Sequence, residues 1–232
     1  MSGRTGGNRT GGKQTGVRNF LSRELILEAA FRVVDADDMN EITMSRLGRE
    51  LDADPSAVYR HFRNKDELLL AMADVMLEES MNSYVEGDAP VENLRRMCWT
   101  LRRSYLRRPG LARAVASRFT GGAAEAASVA HMLANMAELG YDEDTAIANA
   151  RALAEMTLGH IVMTADVLAL PVKTQAFELE MGRSYYTRPR TPGAGVTPAE
   201  QRAAHLEDGE QIFGVMIDTF IEGLVVRAPR SR

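Results

Sequence analysis

The chemistry this chain could do is concentrated between Thr43 and Lys65. Thr43, Ser45, Arg46, Ser56, Tyr59, Arg60, His61, Arg63 and Lys65 bring hydroxyls, cations and an imidazole within 23 residues. That set suits the holding of phosphate oxygens: hydroxyls donate to them and cations displace their counterions. An arginine among them can also make a forked pair of bonds to guanine O6 and N7. Covalent chemistry has less support, because no nucleophile–base pair stands at credible spacing. The four histidines, His61, His131, His160 and His205, show no metal-ligand spacing. No metal and no cofactor is expected. Gly7 to Lys13 mimics a phosphate loop, but Gln14 replaces the required hydroxyl and no strand precedes it. Gly193-Ala194-Gly195 lacks a third glycine. Cys98 is the only cysteine, so an intrachain disulfide is excluded, and it reads as a small core residue.

The elements that must position these residues are helices. Ser22 caps a first helix over about 23–37, with Ile26, Ala30, Val33 and Val34 on one face. Thr43 caps a short helix whose Met44, Leu47 and Leu51 face inward. Asp52-Ala53 makes a tight turn, Asp being a residue that tolerates left-handed backbone. Asp54 then caps another short helix with Pro55 at its first position, where a missing N–H costs nothing. Val58 and Phe62, four apart, anchor that helix and leave Ser56, Ala57, Tyr59, Arg60 and Arg63 outside. Two short helices joined by such a turn are a helix-turn-helix, whose second helix enters the major groove N-terminal end first. Ser56 and Ala57 are small enough for close approach there, and Arg60 is long enough to reach a guanine. The hydroxyls of Thr43, Ser45 and Tyr59 suit phosphates, and Arg46 and Lys65 add charge. Asn64 starts a further helix to about Ser83, with Glu67 as the reciprocal partner of a capping box.

Helices are also expected at about 90–107, 110–118, 124–139, 143–169 and 209–226, and strand signals are nearly absent. The fold class is all-α. Residues 1–19 are rich in Gly, Thr, Asn and Arg and read as a disordered basic arm, with Arg4, Arg9, Lys13 and Arg18 and no acid. The whole chain carries a net charge of −4, so the body below that arm is acidic. Residues 171–208, with four prolines, read as a mobile loop with short helical turns near 174–183 and 198–206. No apolar run reaches the roughly 20 residues of a membrane span, and the N-terminus lacks a signal peptide's apolar core. A cytoplasmic protein of 232 residues with no membrane contact is expected.

Three stretches resemble the TetR (tetracycline repressor) family of transcriptional regulators: Leu25-Ile-Leu-Glu-Ala-Ala30, Thr43-Met-Ser-Arg-Leu-Gly48 and Val58-Tyr-Arg-His-Phe-Arg-Asn-Lys-Asp-Glu-Leu-Leu69. The Tyr59-x-His61-Phe62 element followed by Asn64-Lys65 is specific to that family. The resemblance implies that Tyr59, His61 and Lys65 touch the DNA backbone while Ser56, Ala57 and Arg60 face bases. Asp52 stands where the family usually has the turn glycine, and Gly48 where it usually has alanine. Leu101–Ala112 and Phe213–Leu224 resemble the tetracycline-repressor subgroup's C-terminal domain more weakly. That implies a homodimer built on the last two long helices, and a pocket whose small-molecule effector releases the protein from a palindromic operator. The expected organisation is a DNA-binding domain over 20–70, a linking helix to about 83, and a ligand-binding and dimerisation domain over 84–228.

Apolar patterning supports the dimer independently. In 143–169 one set is Ile147, Ala154, Leu158, Ile161, Ala165 and Leu168, and a second is Leu153, Met156, Met163, Val167 and Leu170. A helix apolar on two faces needs two surfaces to bury against. Phe213, Met216, Ile217, Phe220 and Leu224 make 209–226 similarly broad. The interface residues expected are Ile147, Ala154, Leu158, Ile161, Ala165, Phe213, Met216, Ile217, Phe220 and Leu224. Trp99, Tyr105, Phe119, Met136, Met156, His160 and Met163 are the effector-pocket candidates. Two other readings compete: a small helical enzyme, which turnover without DNA binding would reveal, and a helical interaction module without DNA affinity.

Overall fold

The computed structural model describes residues 21–36, 42–87, 89–186 and 197–229. The basic arm and the Gly/Pro-rich centre of the 171–208 stretch lie outside them. Among the described residues ten helices follow one another: α1 (Arg23–Ala36), α2 (Met44–Glu50), α3 (Pro55–Tyr59), α4 (Lys65–Asn82), α5 (Pro90–Leu106), α6 (Pro109–Val115), α7 (Ala123–Glu138), α8 (Glu143–Leu168), α9 (Val172–Tyr186) and α10 (Pro198–Arg227). No strand occurs among the described residues, and no helix there is long and apolar enough to cross a membrane.

One apolar core runs from the N-terminal helices into the body. Ile26, Leu47, Val58, Phe62, Leu68 and Met72 join Tyr105, Leu111, Val115, Ile161 and Ala165 in it. A second core lies between α5, α7, α8 and α10, with Leu94, Cys98, Met136, Leu153, Phe213, Ile217 and Leu224. Polar bonds fix this packing. Ser104 Oγ donates to the Met76 carbonyl across α5 and α4 at 3.0 Å. Tyr141 Oη donates to the Leu224 carbonyl at 2.6 Å, and Asn93 Nδ2 donates to Asn135 Oδ1 at 3.0 Å. A buried polar group needs such a partner because the alternative is an uncompensated desolvation cost.

The stretch read as a mobile loop is largely helical where described. α9 fills Val172–Tyr186, and α10 begins eleven residues before the expected start at 209. Gln175, 7 % exposed, docks α9 by donating to the carbonyl of Leu168, the last residue of α8, and to that of Leu170 just beyond it. Thr197 and Glu200 cap α10 reciprocally. Glycine and proline density had hidden both signals.

The apolar faces also divide differently. Ile161, Ala165, Phe213, Ile217 and Leu224 are buried within their own chain, so they cannot meet a partner. Ala154 and Leu158 line a cavity between helices. Of the expected interface set, Ile147 is openly exposed, at 47 %. Met216 and Phe220 are half-buried. The large apolar side chains that α8 and α10 do expose include Met163, Ile212, Val215, Val225 and Val226.

Candidate nucleic-acid interface and internal cavity

The interface begins with three caps in series. Thr43 Oγ1 accepts from the Arg46 amide at 3.1 Å and starts α2. Because the hydroxyl accepts there, its own proton stays available to a phosphate. Asp52 adopts φ 47°, the left-handed region that lets the chain reverse after α2. Asp54 Oδ1 then accepts from the Ser56 amide at 2.8 Å, and Pro55 occupies the first turn of α3. The Ser56 hydroxyl first, and then its amide, hold the Asp54 carboxyl below its usual range. Val58 and Phe62 are fully buried. By helical geometry the opposite face is open, with Ser56 and Arg60 exposed, Tyr59 50 % exposed, and Ala57 and His61 half-buried.

Asn64 caps α4 by accepting from the Glu67 amide at 2.8 Å. The expected return bond shifts by one residue: the Glu67 carboxylate accepts from the Arg63 amide at 2.9 Å rather than from Asn64. It also takes Arg63 Nε at 3.1 Å and Arg23 Nη1 at 3.0 Å. These bonds, the Arg63 amide foremost, pull its pKa down to about 2. Arg23 donates to the His61 carbonyl at 2.7 Å and lies over the Phe62 ring at 4.0 Å. One arginine thereby fastens α1 to the end of the α3 segment. Thr43 and Ser45 are exposed at the start of α2, while Arg46 is half-buried, its Nη2 3.5 Å from the Val33 carbonyl. Lys65 is half-buried at the start of α4. Among the residues of α2, the α3 segment and the start of α4, the hydroxyls of Thr43, Ser45, Ser56 and Tyr59 and the Arg60 cation are exposed, groups suited to a polyanion.

A cavity of about 120 Å³ lies between α4, α5, α7 and α8. Of the expected pocket residues it brings in Tyr105 and Phe119. Trp99 packs edge-on against Phe213 with centroids 4.9 Å apart, and Met136 is fully buried in the second core. Met156 packs against that core, and Met163 is 72 % exposed. His160 sits beside Arg102 and Phe213; burial first, then the Arg102 charge, lowers its pKa to about 4. None of these five lines the cavity. Its walls include Leu77, Ser80 and Met81 of the linking helix, which sequence reasoning missed. The signal was present: α4 carries apolar residues, Leu77 and Met81, beyond those buried in the core it shares with α1–α3. Cys98 lines the cavity too, with its thiol pushed up to about 11 by burial, which leaves it inert as a nucleophile.

α4 ties the cavity to the interface. The Asp74 carboxylate accepts from Thr120 Oγ1 at 3.0 Å and from the Glu125 amide at 3.1 Å, capping α7 from outside that helix. Arg118 Nη1 meets Asp66 Oδ1 at 3.2 Å, one residue into α4. Cavity walls on the α6–α7 segment are thus bonded to both ends of the first half of α4.

Residues 26–72 match the family model for bacterial regulatory proteins of the tetR family. An HTH-type transcriptional repressor of Mycobacterium tuberculosis is 29% identical over 96 residues, 40% of this chain and 37% of that protein. The matched stretch thus spans little more than a third of the curated relative. Among solved structures, Streptomyces coelicolor ActR in complex with actinorhodin superposes with a TM-score of 0.69 at 21% identity, covering 91% of this chain and 99% of that one. BioQ with its double-stranded DNA operator gives 0.62 at 22% identity, covering 89% and 99%. These two likenesses show the fold over nearly the whole chain.

Proposed function

We propose that this chain, whose residues 26–72 match the family model for bacterial regulatory proteins of the tetR family, is a cytoplasmic member of that family, a sequence-specific transcriptional repressor released from a palindromic operator by a small molecule. The observation that carries the reading is the two-sidedness of the segment from α3 to Phe62: Val58 and Phe62 are sealed at 0 % exposure while Ser56, Tyr59 and Arg60 face outward. On this reading Ser56, Ala57 and Arg60 meet base edges. Thr43, Ser45, Arg46, Tyr59, His61 and Lys65 meet phosphates. Two relatives of the same fold, one crystallised with an operator and one with actinorhodin, support both halves of the reading.

A single helix-turn-helix holds DNA weakly, and two-fold pairing matches a palindrome. The pairing surface is assigned to the exposed side of α8 and α10, around Ile147, Met163, Ile212 and Val215, in place of the buried residues that apolar patterning suggested. The DNA-binding domain is residues 20–70, with α4 as the link, and residues 84–228 sense and pair. A ligand in the cavity shifts the equilibrium by its differential affinity for the bound and released states.

The test is selection of duplex from a random pool, followed by footprinting and a salt titration. A palindromic site with affinity falling steeply as salt rises is expected. A protein that stays monomeric in sedimentation and retains no duplex at low salt overturns the reading.

A further inference from the structure

The cavity has a chemical bias that narrows what it accepts, and this inference rests on the ligand-responsive reading above. Its walls are mostly apolar: Leu77, Met81, Met97, Leu101, Met132 and Leu158. Three are methionines, whose polarisable sulfur packs well against ring edges. Two wall hydroxyls spend their protons inside their own helices. Thr100 donates to the Arg96 and Met97 carbonyls, and Thr157 to the Leu153 carbonyl. The other wall hydroxyls are those of Ser80, Ser128 and Tyr105, and Tyr105 is the most deeply buried of these residues, at 2 %. No hydrogen bond from its hydroxyl occurs among the described residues, so its proton can be donated to an acceptor held in the cavity. Burial and the neighbouring carboxylates of Glu125 and Asp74 push its pKa up, so it stays protonated.

Charge restricts the occupant further. Glu125 lines the cavity, and the Asp74 carboxylate is close enough to act on Tyr105. The cation of the wall, Arg118, is paired with Asp66. An anion therefore meets the cost of leaving water with no unpaired cation among the lining residues to offset it. The volume of about 120 Å³ is near that of engineered apolar cavities that take a single benzene ring.

We propose that the cavity binds a small, uncharged, mostly aromatic molecule with one hydrogen-bond acceptor, which the Tyr105 hydroxyl engages. Carboxylates of the same size are excluded.

Three probes of one shape separate the contributions: acetophenone, α-methylstyrene, which replaces the carbonyl oxygen by a methylene, and benzoate. Binding is measured by calorimetry on the full chain without DNA. One net hydrogen bond corresponds to about a fivefold preference, so acetophenone should bind about fivefold tighter than α-methylstyrene. Tyr105→Phe should abolish that ratio and leave α-methylstyrene unchanged. Ser80→Ala, which removes the hydroxyl of the α4 wall, should keep the ratio. Benzoate should bind more than tenfold weaker than acetophenone. The inference is overturned if acetophenone does not bind, if Tyr105→Phe keeps the ratio, if Ser80→Ala removes it, or if benzoate binds best. Should acetophenone bind as described yet leave operator affinity untouched, the ligand inference stands and ligand-driven release fails. Release by benzoate but not acetophenone has the reverse consequence: ligand-driven release stands and the ligand inference fails.

Discussion

Gly48→Ala sets two effects of opposite sign against each other. Inside α2 the exchange is favourable by about 1 kcal/mol, because glycine loses the most backbone entropy in a helix. Tertiary geometry opposes it. A Cβ at position 48 would stand 2.8 Å from the Ala53 carbonyl oxygen and 3.3 Å from both the nitrogen and Cγ of Pro55. These are backbone and ring atoms, with no flexible side-chain tip to swing away. The carbonyl belongs to a turn fixed by the Ala53 amide donating to the Gly48 carbonyl at 2.9 Å and by Asp52 at φ 47°. Overpacking of this kind costs about 1–3 kcal/mol, so the net loss reaches roughly 2 kcal/mol. For a chain of this length that lowers Tm by up to roughly 8 °C. Operator affinity should fall as well, because Pro55 is the first residue of α3 and moves with the displaced turn. Thermal melting by circular dichroism and fluorescence anisotropy on one operator duplex read both effects. A variant as stable as the parent, with unchanged affinity, would refute the argument that close approach of α2 to the turn requires glycine here.

Three further outcomes are expected. Arg60→Ala should relax sequence preference by about 1–3 kcal/mol at one base pair, whereas Lys65→Ala should weaken all duplexes alike and lower the log–log salt slope by about 1; binding measured on matched and mismatched duplexes over a salt series separates the two. His160, lowered from 6.5 to about 4 by burial and then by Arg102, is neutral in the fold and binds its proton more readily when unfolded. Its contribution is therefore complete above about pH 6.5 and fades as pH falls towards 4, and His160→Gln should flatten that part of a Tm-against-pH curve; an unchanged slope would remove the assignment. Val215→Glu, on the open face of α10, should yield a folded monomer in sedimentation with operator affinity reduced at least tenfold, while a dimer would move the pairing surface elsewhere.

The sequence by itself determined the interface helices, because caps and anchors are local. Thr43, Asp54 and Asn64 each satisfy an amide two or three residues on, and Val58 and Phe62 are four apart, so chain spacing alone puts them on one side. The same locality let Asp52 be read as the left-handed turn residue. What only the tertiary structure decided was the destination of each apolar face. Ile161, Phe213 and Ile217 look the same in sequence whether they meet their own chain or a partner, since hydrophobic burial is non-directional. The cavity was hidden for a related reason: it depends on gaps left between four helices, and aromatic or methionine content does not report gaps. Tyr105 and Phe119 came to line it, while Trp99, Met136 and His160 filled space beside it. The bonds from Asp74 to α7 and from Arg118 to Asp66 span about fifty residues, and no local pattern specifies a partner so far along the chain.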